Sequence, residues 1–239
     1  MNFINYLLAH TVPLFATIGY LLYPQNLRIN STLLYGLNII HNGLLIGFSA
    51  WTCYSLTHVL YTDGIIHQRN YYFQNPQYDN VIYLFYMSKY YEFFDTFLLY
   101  LNNKTPIFLQ KYHHIGAVIC WHLCYTYKVD GVWVPSIINS FIHTIMYCYY
   151  LGCLLKINQL KIIKKYITTL QLSQFIFAGL YTMIIYAPIE TETNRLIIYI
   201  FNAYNTGLII LFSYFYYTSY IKIKNNKVVK NYADKPYIK

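Results

Sequence analysis

Charge is what this sequence has least of: only 10% of its 239 residues are Asp, Glu, Lys or Arg. Soluble domains carry about a quarter, so an ordinary water-soluble globule is excluded. No basic residue precedes Arg28, so the apolar amino terminus lacks the n-region of a cleavable signal peptide and is expected to be a retained first span. There is no CxxC pair, and Cys53, Cys120, Cys124, Cys148 and Cys153 all fall inside apolar segments. That excludes a disulfide scaffold and leaves buried free thiols. No internal repeat or Gly/Ser-rich linker divides the chain, so one domain is expected over 1–220, followed by a basic tail over 221–239.

What remains is 57% hydrophobic, arranged in long stretches. Crossing a hydrocarbon core of about 30 Å takes roughly 20 helical residues, and seven spans are expected at about 3–23, 32–60, 80–101, 107–127, 131–154, 166–188 and 195–220. The fold class is therefore an all-α polytopic membrane bundle, its second span long enough to tilt or break. Pro13 and Pro135 fall within spans, where neighbouring helices re-satisfy freed carbonyls. The 31 tyrosines accompany abundant Ile, Asn and Lys as a composition-wide bias and do not argue for a base-stacking platform. The 17 basic against 8 acidic residues report orientation and anionic lipid rather than nucleic acid. Arg28, Lys104, Lys156, Lys161, Lys164, Lys165 and the tail lysines fall on one side, Arg69, Lys128 and Arg195 on the other. The positive-inside rule makes the first side cytosolic, with the amino terminus luminal and the carboxyl terminus cytosolic.

Four of these stretches carry polar groups that a bilayer tolerates only where they face a bundle interior and pair. In SKYYEFFDT a continuous helix would hold Lys89, Glu92 and Thr96 within about 60° of one another, with Asp95 widening the arc to about 120°. The competing reading of Lys89 and Glu92 is an i,i+3 ion pair that only orients helices. In FLQKYHHIG, Gln110, His113 and His114 share an arc of about 100°. Adjacent histidines in an apolar helix point to function, whereas His122, on the opposite side, reads as an interhelical hydrogen bonder. NSFIHTIMYCYY sets Asn139, His143, Met146, Tyr147 and Tyr150 in one stripe, which is either packing or the wall of a polar cavity. TTLQLSQF places Thr168, Gln171 and Gln174 on an arc of about 120°, serving either helix association or a cavity. At 1.5 Å per residue, His113 lies about 9 Å and His143 about 16 Å in from the cytosolic side. A single polar chamber opening to the cytosol would collect all four faces.

In this order the strings KxxExxDT (Lys89–Thr96), a histidine box ending at His113–His114, NSxxHxxMYxYY (Asn139–Tyr150) and TxxQxxQ (Thr168–Gln174) resemble the signature set of the ELO family of very-long-chain fatty acid elongases. The resemblance implies a helical bundle around a closed acyl tunnel in the endoplasmic reticulum. It also implies condensation of acyl-CoA with malonyl-CoA to 3-ketoacyl-CoA, CoA and CO2, with no cofactor and no metal. A homodimer and association with the later enzymes of the elongation cycle belong to the same expectation. His113, matching the middle histidine of the box, is the expected nucleophile. A neutral imidazole attacks a thioester, and an acyl-imidazole splits the condensation into two easier steps. His143 and Asn139 are assigned to the malonyl-derived enolate, and His114 to the nucleophile's tautomer or a proton. Lys89, Glu92, Asp95, Thr96 and Gln110 would support the site; Met146, Tyr147, Tyr150, Thr168, Gln171 and Gln174 would bind substrate. The sequence departs from the usual HxxHH box by carrying Gln110 first, an amide that positions but cannot titrate. The tail also lacks the dilysine pattern that serves retrieval.

Two other readings compete. A membrane di-iron desaturase or hydroxylase needs about eight histidines in several boxes, whereas this chain has 8 in total, with His10, His41, His58 and His67 scattered. A seven-helix receptor or transporter explains the span count and the buried charges. It does not explain why the polar positions gather in one half of the membrane.

Overall fold

The computed structural model describes residues 3–22 and 29–222; Arg28 and the tail beyond Lys222 lie outside the described residues. Among the described residues there is no strand. The helices are α1 (Phe3–Leu21), α2 (Ser31–Asp63), α3 (Pro76–Tyr91), α4 (Phe93–Leu101), α5 (Phe108–Thr126), α6 (Trp133–Leu154), α7 (Lys164–Tyr181) and α8 (Glu192–Tyr216). Four segments are long and apolar enough to cross a membrane: Ser31–Asp63, Asp130–Leu154, Lys164–Tyr186 and Glu192–Lys222. The chain is an all-α polytopic membrane protein. The expected seven spans fall on α1, α2, α3 with α4, α5, α6, α7 and α8.

Local chemistry sets the helix ends. Asn30 caps α2 by accepting from Thr32 N at 2.8 Å, and Gly64 at φ 81° closes it with N–H donated to Leu60 O, a left-handed turn that glycine adopts without a Cβ penalty. Between those caps the 33 residues run unbroken, about 50 Å at 1.5 Å per residue, so the helix outreaches the hydrocarbon rather than breaking within it. Pro135 sits in the first turn of α6, where no intrahelical partner is needed for the missing N–H.

The third span departs from the expected single helix. The chain breaks at Glu92, which ends α3 and caps α4, and Asp95 N reaches back only three residues to Glu92 O at 3.0 Å. This tightened turn rotates α4 relative to α3. The motif residues consequently serve three different neighbours instead of one shared face.

Lipid offers little hydrophobic drive between helices, so the bundle is held by close packing and interhelical hydrogen bonds. Its outer faces are apolar, with Phe15, Ile40, Leu44, Phe141, Phe177, Ile184 and Ile210 exposed, while His41, Lys89, Glu92, His114 and His143 are buried. At the end formed by residues 64–75, 127–132 and 187–191 an aromatic plug closes the bundle. Tyr72, Tyr78 and Tyr186 are almost wholly buried. Tyr186 OH accepts from Trp133 Nε1 at 2.9 Å and donates to Ile66 O at 3.2 Å, while Tyr72 OH accepts from Ile66 N and donates to Gly64 O. The polar tips of these rings thereby satisfy the connecting loop's own backbone.

Candidate active site

The opposite half of the bundle is hollow. A cavity of about 760 Å³ runs between α2, α4, α5, α6, α7 and α8. Of the 15 candidate residues, 12 line it: Glu92, Asp95, Gln110, His113, His114, His143, Met146, Tyr147, Tyr150, Thr168, Gln171 and Gln174. Lys89 and Asn139 line a second cavity of about 30 Å³ that shares His113, Gln174 and Phe175 with the first. Thr96 lines neither and acts from behind: its hydroxyl bonds Tyr20 OH at 2.8 Å and accepts from Gln110 Nε2 at 3.2 Å. Gln110 is thus tied to α4 through Thr96, an amide-to-hydroxyl bond that demands no titration.

The break at Glu92 sorts the charges. Lys89 Nζ donates to Glu92 Oε1 at 2.7 Å and to Asn139 Oδ1 at 3.1 Å, both residues of the ion pair being 2% exposed. His143 Nδ1 stands 3.6 Å from the same Glu92 oxygen, beyond a hydrogen bond but within electrostatic reach. Asp95 turns elsewhere, with one oxygen 2.7 Å from His41 Nε2 and the other accepting from Tyr147 OH at 2.7 Å. Lys89 and Glu92 therefore adjoin His143, and Asp95, in the wall of the same cavity, couples His41 on α2 to Tyr147 on α6. His122 bonds Tyr86 OH through Nδ1 at 3.0 Å, the interhelical role expected of it.

His113 is held by a residue the sequence did not single out. Tyr204 OH lies 3.0 Å from His113 Nδ1 and donates to His113 O at 3.0 Å. A hydroxyl has one proton; in the tautomer where it goes to the carbonyl, the oxygen accepts from Nδ1–H and the lone pair is on Nε2. Glycine permits this approach, because a Cβ at Gly116 would fall 2.1 Å from the Tyr204 ring. Tyr204 makes the hydrogen-bond contacts to His113, and His114 Nδ1 is buried without a partner. His113 and His143 face each other across the chamber with ring centroids 6.5 Å apart.

Three residues escaped the sequence reading: His41, Tyr204 and Asn205. Each is a polar group deep in an apolar helix, and that was their only signal. They sit on α2 and α8, remote in sequence from the four motif strings.

Glu92, His113 and His143 bring one ligand atom each within 4.8 Å of one another. The ammonium of Lys89 at 2.7 Å from the Glu92 carboxylate already neutralises it, and a divalent cation there would face an adjacent positive charge. Two imidazoles and one committed carboxylate are a poor donor set for a di-iron centre.

Comparison with known proteins agrees with this architecture. Residues 6–228 match the ELO: GNS1/SUR4 family, and the chain belongs to that family. It is 38% identical over 143 residues to fatty acid elongase sre1 of Dictyostelium discoideum, covering 58% of this chain and 53% of that protein. It is 36% identical over 153 residues to very long chain fatty acid elongase 5 of Xenopus laevis, covering 59% and 49%. With very long chain fatty acid elongase 7 of Rattus norvegicus it shares 27% identity over 195 residues, 77% of this chain and 69% of that one. The matched region spans about half the length of the first two relatives.

Proposed function

We propose that this protein is a fatty acid elongase that condenses acyl-CoA with malonyl-CoA in two half-reactions through an acyl-imidazole on His113. The observation that carries the reading is the Tyr204–His113 contact in the wall of a large cavity; with Nδ1–H held by Tyr204, a neutral imidazole carries its lone pair on Nε2. In the first half, Nε2 attacks the acyl thioester and the thiolate of CoA leaves. The imidazolium so formed keeps its Nδ1 proton on Tyr204 and lies near the Glu92 carboxylate, which favours the positive charge. In the second half, the malonyl-derived carbon takes the acyl group from Nε2 and returns the lone pair to it. His143 and Asn139 are assigned to the developing enolate, and His114 to a proton.

The cavity's open end is lined by Lys104, Lys156 and Lys164, cations suited to the phosphates of a CoA thioester. The same cavity is also lined by Leu98, Leu109, Met146, Phe175 and Phe212, apolar surface suited to an acyl chain. The buried aromatic cluster of Tyr72, Tyr78 and Tyr186 at the other end favours a one-ended chamber over a transport path.

The same reading puts the lysine-lined mouth at the cytosolic face of the endoplasmic reticulum, with the amino terminus luminal. Asn30-Ser31-Thr32 and Asn103-Lys104-Thr105 are glycosylation sequons that lie at that mouth, so both should remain free of glycan in a glycosylating cell. The direct test of activity is incubation of the purified protein with labelled malonyl-CoA and a panel of acyl-CoAs. Labelled 3-ketoacyl-CoA and CO2 are expected; failure with every chain length would overturn the proposal.

A further inference from the structure

The 30 Å³ cavity behind His113 is too small for an acyl chain, and its mostly apolar wall is interrupted by a few polar side chains. It is bordered by Lys89, Asn139, Gln174 and Asn205, closed on its apolar side by Trp121 and Phe201. Two of its polar atoms, Gln174 Oε1 and Asn205 Nδ2, are buried without any hydrogen-bond partner, in residues 6% and 3% exposed. Leaving such a group unsatisfied forfeits its hydration without return, so native structures rarely do so without a reason. Lys89 borders the same space, its ammonium donating to Glu92 and Asn139 and standing 4.1 Å from the centre of the Phe85 ring. One water needs roughly 10–15 Å³ of such space, so the cell has room for about two waters or one three-atom group.

Resting on the elongase reading above, we propose that this cell seats the carboxylate of malonyl-CoA and the CO2 it becomes. Asn205 Nδ2 donates to one oxygen, and the Lys89 ammonium exchanges its contact with the Phe85 ring for the other. Gln174 donates a further bond by turning its amide, whose O and N are interchangeable by rotation. The carboxylate is thereby placed beside the acyl carbon on His113, which borders both cavities. The bond between carboxylate carbon and methylene then breaks, and its electron pair forms the new carbon–carbon bond to the acyl group. The acyl–Nε2 bond breaks in turn and returns its pair to the imidazole. Negative charge on the malonyl group and positive charge on the acyl-imidazolium cancel, and CO2 leaves neutral. The apolar walls favour that outcome, because they destabilise a carboxylate more than they destabilise CO2. Lys89 stays paired to Glu92 throughout, so loss of the carboxylate leaves no bare cation to retain the product.

The test separates the two half-reactions of the whole protein. Asn205→Leu removes the donor at similar size. With acyl-CoA alone, it should release CoA in a burst at a rate within about twofold of wild type, while its malonyl-CoA KM rises about tenfold or more. Gln174→Leu should shift the same parameter in the same direction. Independently of any variant, sulfoacetyl-CoA, whose sulfonate replaces the carboxylate, should compete with malonyl-CoA on the wild-type protein at least about tenfold better than acetyl-CoA does. If wild type condenses but malonyl-CoA dependence is unchanged in both variants, or acetyl-CoA competes as well as the sulfonate, the cell holds water only and the proposal is overturned. If wild type gives neither burst nor ketoacyl product, the elongase reading itself has failed.

Discussion

Two buried carboxylates at opposite ends of the bundle are satisfied in opposite ways. Asp130, 0% exposed at the capped end, accepts from two backbone N–H groups, those of Tyr71 and Phe73. Glu92, 2% exposed beside the chamber, relies on the ammonium of Lys89. Backbone donors are fixed and neutral, so Asp130 pins a loop. An ammonium is a mobile full charge, so Glu92 and Lys89 hold each other in place while leaving an electrostatic reserve next to His113 and His143. The Asp130 carboxylate is held by fixed backbone, whereas the Glu92 carboxylate is held by a side-chain charge beside the chamber.

If that contrast is right, Glu92→Ala should have the largest effect of any single support residue. It strands the Lys89 ammonium, at a cost of about 3–5 kcal/mol, and removes the charge nearest the histidines. Thermal unfolding in detergent together with turnover should register both losses. A variant that kept normal stability and activity would contradict the chamber's electrostatic design.

Tyr204→Phe comes next. The fold should survive, since only an oxygen is removed, but Nδ1 loses the partner that fixes its tautomer. The acylation rate should fall by about 5- to 150-fold, corresponding to about 1–3 kcal/mol, with little change in acyl-CoA KM. A change in KM alone would mark Tyr204 as a packing residue. Asp130→Asn should do the converse, turning an amide donor toward a backbone donor and lowering stability by about 1–3 kcal/mol while kcat stays near wild type.

The smallest effect belongs to Glu190 at the capped end, which receives Asn194 Nδ2 on one oxygen and nothing on the other. Burial pushes its carboxyl above the ordinary value of 4.5, partly offset by the Asn194 bond and by Arg69. A raised acid binds its proton more tightly when folded, so the stabilisation is full below about pH 4.5 and is lost as pH climbs through the folded value. Glu190→Gln should flatten that part of the stability–pH curve. An unchanged slope would place the titration elsewhere.

The fold class was legible because apolar stretches of spanning length leave few alternatives, and the chamber was legible because buried polar residues need a shared interior. Fourteen of the 15 candidates line the two cavities, 12 the larger and Lys89 and Asn139 the smaller. What spacing could not supply was the break at Glu92, since angular arithmetic assumes a continuous helix. Asp95 lines the chamber with the histidines as expected, but its hydrogen bonds go to His41 and Tyr147, neither of which the spacing could name as its partner. Nor could the motifs find Tyr204, whose partner lies 91 residues away. Intramembrane asparagine and tyrosine on α8 were visible, but in a chain with 31 tyrosines one more carries almost no signal.

The central claim is that His113 carries the acyl group, and peptide mass spectrometry of α5 after rapid quenching, with acyl-CoA supplied and malonyl-CoA withheld, addresses it most directly. The account predicts an acyl adduct on His113, with free CoA released in about one equivalent per site, and loss of both adduct and burst in His113→Ala. No adduct on His113, together with a burst that survives its replacement, would contradict the account and favour direct condensation in a ternary complex.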